Sequence, residues 1–162
     1  MGIITKEMLW RQFAIAIDTF GDALRGCPED LWETPLWGDE PNQWVALGFS
    51  QFWYLCYHTL FWLDLYLTGA EEAFLPPDPF DLVEMQEGET LPRVYSQEEL
   101  IGYFEFCRQR CHDTILEMTS EQANLICTFA WGELPYAELM LYTMRHVQDH
   151  AAQLQMFLGE NG

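Results

Sequence analysis

The chain has 162 residues, of which 49% are hydrophobic and 15% aromatic, and its formal net charge at pH 7 is −19. That length suits a single domain spanning residues 1–162, and the apolar content excludes an intrinsically disordered chain. Seven Lys and Arg residues against 26 Asp and Glu argue against nucleic acid or an anionic membrane surface as a partner, because both are bound mainly through basic side chains.

The first two predicted helices lie in the N-terminal part of the chain. Apolar residues recur at helical spacing from about Thr5 to Arg25, and Gly26-Cys27-Pro28 ends the pattern. A second helix is predicted from about Pro41 to Leu67. Its stretch Val45–Leu63 is nearly free of charge and long enough to span a bilayer. Because this stretch carries polar residues and its flanks lack Lys and Arg, we expect a buried helix and no membrane span.

Two further helices follow, each with a recognisable start. Ser96 and Glu99 form an S-x-x-E capping box, which predicts that the third helix begins at Ser96. Pro135 is a favoured first residue for the fourth helix, which is predicted to end near Leu158, before Gly159.

The connections between the helices indicate the architecture. The proline-rich segment from Ala70 to Tyr95 is long enough to cross from one end of a bundle to the other. Residues Thr119 to Leu134 connect the third and fourth helices and have an apolar centre, without long strand-like alternation. The sequence therefore predicts an all-α protein, a four-helix bundle with a long crossover connection.

The cysteines favour a reducing compartment. Their number, five, is odd, and no CxxC pair occurs, so neither a zinc ribbon nor a redox dithiol is indicated. Several lie within apolar helical patterns, where a free thiol behaves as a small hydrophobe. With no signal peptide visible, we expect a cytoplasmic protein.

Three of the four histidines are candidate metal ligands. His146 and His150 are four residues apart on the fourth helix, so both lie on one face, on the side of its apolar stripe. His58 lies at least half inward on the second helix. His112 is predicted to face outward on the third helix, and it is left out of the candidate set.

Three imidazoles entering one interior suit a divalent metal such as zinc, nickel, copper or iron, and they leave one coordination position open, as in catalytic sites. The histidine pair and the inward His58 each also have an explanation that involves no metal. An i, i+4 histidine pair often occurs by chance, and a single inward histidine is commonly a hydrogen-bonded core residue. Three desolvated imidazoles without a shared cation are costly, which favours the metal.

These residues carry a family resemblance. His146-x-x-x-His150-x-x-Gln153-Leu154 resembles the H-x-x-x-H-x-x-Q-L signature of the DinB-like (YfiT-like) superfamily. The resemblance extends to the Trp-containing start of the second helix, Asn42-Gln43-Trp44, and to the inward His58 later on that helix. The resemblance implies a four-helix bundle that binds nickel or zinc through His58, His146 and His150. It also implies a metal-dependent thiol transferase, isomerase or hydrolase acting on a small molecule, with bacillithiol or mycothiol as examples of the low-molecular-weight thiol.

The residues themselves discriminate between these chemistries to some degree. A hydrolase benefits from a general base beside the bound water, but no H-E-x-x-H motif is present and Asp149 is predicted to point outward. That mildly favours delivery of a thiolate, for which the metal alone can activate the nucleophile. Gln153, one turn after His150, can orient a ligand or a bound cofactor, or it is an ordinary polar residue at the stripe edge.

A non-catalytic bundle that acts through a partner surface is the alternative. Phe49, Trp53 and Tyr57 are predicted to lie on the side of the second helix away from the core. An exposed aromatic surface of this kind marks an interface. We therefore expect a homodimer formed through this face, which is compatible with catalysis and equally with a purely structural role.

Overall fold

The computed structural model describes residues 4–38, 48–72, 74–86 and 91–162. Four long helices form the body of the molecule, and a short helix precedes a β-hairpin between the last two long ones. We label them α1 (Lys6–Gly26), α2 (Phe52–Thr68), α3 (Gln97–Glu117), α4 (Ser120–Ala123), β1 (Ile126–Phe129), β2 (Gly132–Pro135) and α5 (Tyr136–Asn161).

Local sequence determines where the helices begin. The Thr5 hydroxyl accepts a hydrogen bond from the backbone N–H of Met8 and caps α1. The capping box predicted at Ser96 and Glu99 is present, with both reciprocal hydrogen bonds formed. Pro135 immediately precedes α5, and α5 continues through Gly159 to Asn161, three residues beyond the predicted end.

The second helix predicted from about Pro41 to Leu67 is not continuous within the described residues. Residues 48–50 form a turn, Gly48 has a φ of 88°, and Gln51 is extended, so the helix begins at Phe52. A left-handed residue followed by an extended one cannot belong to an α-helix. The predicted start at Pro41 and the sequence Asn42-Gln43-Trp44 lie outside the described residues.

The long helices surround one hydrophobic core. Helices α1 and α2 each pack against both α3 and α5, so α2 lies diagonally opposite α1. The close approach of α1 to α3 requires Gly21, because an added Cβ would lie 2.4 Å from the Phe104 ring. This arrangement brings the inner faces of α2 and α5 together, which positions the histidines.

The crossover connection covers the outer face of α2. Trp53 and Tyr57 are 1% and 0% exposed, so the prediction of an exposed aromatic surface for homodimerisation is wrong at these positions. The reason is that Phe80 and Tyr95, from the crossover, pack on the Tyr57 ring at centroid distances of 6.2 and 5.0 Å. Phe49 is half-buried and packs against the Tyr54 ring. Homodimerisation stays a prediction, without this surface to support it.

The connector before α5 is more ordered than its sequence indicates. After α4, the strands β1 and β2 pair antiparallel, with Phe129 opposite Gly132. The side chains of Cys127 and Phe129 face inward and their neighbours face outward. All five cysteines are unpaired and buried. Among the described helices, none has both the length and the apolar character needed to cross a membrane.

Candidate metal site

The three predicted ligands converge between α2 and α5. The Nε2 atom of His146 lies 3.3 Å from Nε2 of His58 and 3.0 Å from Nε2 of His150. One ligand atom from each ring lies within 4.8 Å of the other two. His58 and His146 are 88 residues apart in the chain, so the cluster is a product of the tertiary fold.

The helical period of α5 places its two histidines. Residues four apart stand one above the other on a helix face, and the rings of His146 and His150 are 4.5 Å apart between centroids. Val147 and Ala151, each next in sequence to one of the histidines, are fully buried and pack α5 onto the bundle. The imidazoles therefore lie at the edge of the core, half-buried, as the apolar stripe predicts.

The Nδ1 atoms of two of these rings have hydrogen-bond partners that fix their orientation. Nδ1 of His58 lies 2.5 Å from Oε1 of Glu84, and Nδ1 of His150 lies 2.7 Å from Oε1 of Gln153. Both partners are acceptors, so each Nδ1 donates a hydrogen bond to its partner and each Nε2 is directed towards the centre of the cluster. Gln153 thus contacts a predicted ligand, as its position one turn from His150 suggests.

The third histidine lacks such a partner. Nδ1 of His146 is buried and forms no hydrogen bond with the described residues. A buried polar atom without a partner costs free energy, and a cation held at Nε2 would not contact this nitrogen. The donor set, three imidazole Nε2 atoms, fits a borderline divalent metal such as zinc or nickel.

Glu84 contacts the histidine cluster, and it was not predicted from the sequence. Its side chain is 7% exposed and lies on a 3₁₀ turn, Val83–Met85, in the crossover. Besides His58, its carboxylate accepts hydrogen bonds from the Tyr54 hydroxyl at 2.5 Å and the Trp62 indole N–H at 3.0 Å. The donors have a signal in the sequence, because residues 54, 58 and 62 are spaced four apart on α2. Nothing in the local sequence distinguishes Glu84 from the other acidic residues of the crossover.

The surroundings keep the histidines of α5 neutral. Burial, together with the neighbouring imidazoles His150 and His58, lowers the pKa of His146 to about 3. Burial and His58 lower the pKa of His150 to about 4. Burial alone would raise the pKa of Glu84, but the hydrogen bond and charge of His58, with the bonds from Tyr54 and Trp62, bring it below its usual value. The two histidines of α5 are therefore neutral near neutral pH, and the carboxylate of Glu84 is ionised.

Other charged and titratable residues named from the sequence lie elsewhere. His112 is half-buried on α3, where it packs edge-on against Trp10 and pairs with Asp113, so its exclusion from the site is consistent with the structure. Asp149 is exposed.

A family model described as the DinB superfamily matches residues 8–154 of the chain. The chain belongs to the DinB superfamily. The matched range includes all three histidines, Glu84 and Gln153. A search of curated proteins and a search of solved structures found no match to the chain. The predicted family and the all-α bundle are thus confirmed.

Proposed function

We propose that this DinB-superfamily protein binds one divalent ion, zinc or nickel, through Nε2 of His58, His146 and His150. The observation that carries the proposal is the convergence of three imidazoles, of which His58 and His150 have their far nitrogens already held by Glu84 and Gln153. Such outer partners fix the ring orientation and increase ligand basicity. Three protein ligands leave a coordination position for a small molecule.

We further propose that the protein is an enzyme that transfers a low-molecular-weight thiol to a small electrophile. A bound zinc or nickel ion would supply Lewis acidity and hold the sulfur of the thiol as a thiolate. The residues of the site support this over hydrolysis, because the described carboxylate nearest the cluster, Glu84, is engaged by three donors and bonds the outer nitrogen of His58. A general base would need to reach a water at the opposite, Nε2 side.

Each protein group has a positioning task in this proposal. Glu84 holds the proton on Nδ1 of His58, and the amide oxygen of Gln153 holds the proton on Nδ1 of His150, so neither ring turns its Nε2 away. The rings of Tyr54 and Trp62 flank His58 at 6.2 and 6.4 Å and exclude water from the hydrogen bond to Glu84. A reducing cytoplasm, which the unpaired cysteines favour, would supply the thiol in its reduced form.

Metal content tests the first part of the proposal. We expect about one divalent ion per chain, by elemental analysis of protein purified without chelators, and loss of that ion in His146→Ala. His112→Ala is the matched control, since it removes a half-buried histidine outside the cluster and should leave the metal content unchanged. Wild-type protein that stays metal-free and whose unfolding is unaffected by added zinc or nickel would contradict the proposal and favour a structural bundle.

The second part is tested with metal-loaded protein, a panel of small thiols and a chromogenic electrophile. We expect electrophile consumption that depends on both the thiol and the metal, and that is lost in His146→Ala but retained in His112→Ala. Turnover of ester or amide substrates without any thiol would instead support hydrolysis. Metal binding without turnover of either kind would support a non-catalytic role.

A further inference from the structure

The part of the crossover that reaches the histidines forms a strap across α2. We define this crossover strap as residues 80–86, which include the 3₁₀ turn Val83–Met85. Backbone hydrogen bonds of 3.1 and 2.9 Å close the turn, and the Asp81 carboxylate accepts a further one from the backbone N–H of Val83 at 3.0 Å. Local bonds of this kind restrict the backbone, so the two ends of the strap move together.

Phe80 anchors the first end of the crossover strap. Its ring stacks on the Tyr103 ring of α3 at a centroid distance of 4.3 Å, and it packs on the rings of Tyr57 and Tyr95 at 6.2 and 4.7 Å. The Tyr57 hydroxyl also donates a hydrogen bond to the backbone carbonyl of Asp81 at 3.4 Å. All three ring partners are tyrosines, so this anchor holds the strap without touching a candidate metal ligand.

Glu84 anchors the other end of the strap, and it does so at the histidine cluster. Its carboxylate accepts hydrogen bonds from Tyr54 and Trp62 of α2 and lies 2.5 Å from Nδ1 of His58. The side chain is 7% exposed, so water screens its charge weakly. With a cation held at Nε2 of His58, this carboxylate faces a positive charge across the ring, and its bond to Nδ1–H becomes stronger. The strap therefore has one anchor that responds to a bound metal and one that does not.

We propose that docking of the crossover strap and binding of the divalent ion are coupled, so that the strap is held tightly on α2 when the site is loaded and loosens when the ion is lost. This inference rests on the metal site proposed above. The coupling is reciprocal, because the factor by which the ion favours docking equals the factor by which docking favours the ion. Loss of an outer partner weakens metal binding about 10- to 100-fold, which sets the expected size of the coupling. A loosened strap withdraws Phe80 from the rings of Tyr57 and Tyr103, so metal content controls the exposure of an aromatic surface.

Phe80→Ala tests the coupling from the anchor that lies away from the histidines. In competition for zinc against a chromophoric chelator, this variant should bind zinc about tenfold more weakly, and its loss should not exceed that of Glu84→Ala. Phe129→Ala truncates a phenylalanine of similar burial in the β-hairpin, 6% exposed against 8% for Phe80, and this matched control should bind zinc as the wild type does. Phe80→Leu, a milder change, should show a smaller loss in the same direction and serves if Phe80→Ala does not fold.

A double variant separates this coupling from a general loosening of the fold. Once Glu84 is replaced, docking of the strap no longer affects His58, so Phe80→Ala combined with Glu84→Ala should bind zinc no more weakly than Glu84→Ala alone. Losses that add would show that Phe80 acts independently of Glu84, and they would overturn the proposal. Wild-type zinc affinity in both folded Phe80 variants would overturn it as well.

Hydrogen exchange measures the same coupling at the strap itself. The backbone N–H groups of Met85 and Gln86 are hydrogen-bonded within the strap, and saturating zinc should slow their exchange about tenfold in the wild type. In Glu84→Ala, saturating zinc should leave their exchange unchanged. Wild-type protein that binds zinc without slower exchange in the strap would overturn this inference alone. Wild-type protein that binds no zinc would overturn the metal site and the coupling together.

Discussion

Replacement of Glu84 gives the sharpest test of how the histidine cluster is held. Oε1 of this carboxylate accepts from His58 Nδ1 at 2.5 Å and Trp62 Nε1 at 3.0 Å, and Oε2 accepts from the Tyr54 hydroxyl at 2.5 Å. In Glu84→Gln an amide oxygen can keep the first two bonds, but the negative charge is lost. In Glu84→Ala all three bonds are lost, and a buried tyrosine hydroxyl and indole N–H are left without this acceptor.

These losses translate into a graded effect on metal affinity. Loss of an outer partner of a metal-bound histidine typically weakens metal binding about 10- to 100-fold, or about 1.4–2.7 kcal/mol. We expect Glu84→Gln near the lower limit, because His58 stays oriented, and Glu84→Ala near the upper limit, because its ring is free to rotate. Competition for zinc or nickel against a chromophoric chelator measures both affinities.

Two further measurements make this prediction falsifiable. Glu98→Gln, on the first turn of α3, is the control for loss of one negative charge, and it should bind metal as the wild type does. Urea unfolding of the metal-free variants checks that each is folded. If both Glu84 variants fold and bind metal with wild-type affinity, Glu84 does not position His58, and the argument from its three hydrogen bonds is wrong.

Two predictions concern the scaffold. Gly21→Ala should lower the free energy of unfolding, measured in urea, by about 1–3 kcal/mol, because its Cβ would overlap the Phe104 ring. Gly102→Ala is the control: an added Cβ there meets nothing within 4 Å, and the free energy of unfolding should rise by about 0.5–1 kcal/mol. Equal effects of the two substitutions would refute the close packing of α1 on α3. Hydrogen bonds from Arg93 and from the backbone of Ser96 lower the pKa of Glu99 from 4.5 to about 2. The ionised carboxylate therefore stabilises the folded state by about 1 kcal/mol after solvent screening. This stabilisation is complete above pH 4.5 and is lost as the pH falls towards 2. Glu99→Gln should remove this part of the acid dependence in urea titrations at several pH values, and an unchanged pH profile would contradict the assignment.

Much of the fold follows from local sequence signals. Caps at Thr5 and Ser96 and a proline before α5 determine three helix starts, because each satisfies or avoids exposed backbone donors within one turn. The start of α2 could not be located in this way. There the chain turns at Gly48 and pairs Gln51 with Pro35, and a pairing with a distant segment leaves no local signal.

In the candidate site, too, the residues placed by local sequence could be predicted and those placed by the path of a distant segment could not. His146 and His150 could be assigned to one inward face because their positions follow from the helical period, and the side chain of Gln153 reaches its neighbour within the same helix. Glu84 could not be found, because it meets His58 only through the path of the crossover. The same path explains the wrong exposure predicted for Trp53 and Tyr57, since an apolar residue on a helix gives no information about what covers it.

The reactivity of the five buried thiols can be used to detect opening of the native structure. Burial raises the pKa of every one of them, to about 12 in Cys27, so the native chain presents almost no thiolate near neutral pH. Alkylating reagents should therefore label these sulfurs mainly in transiently opened states of the protein. In an assay that consumes thiol, the reactive sulfur must then come from the added small-molecule thiol and not from a cysteine of the protein. Background labelling of the protein reports only the opening of its native structure.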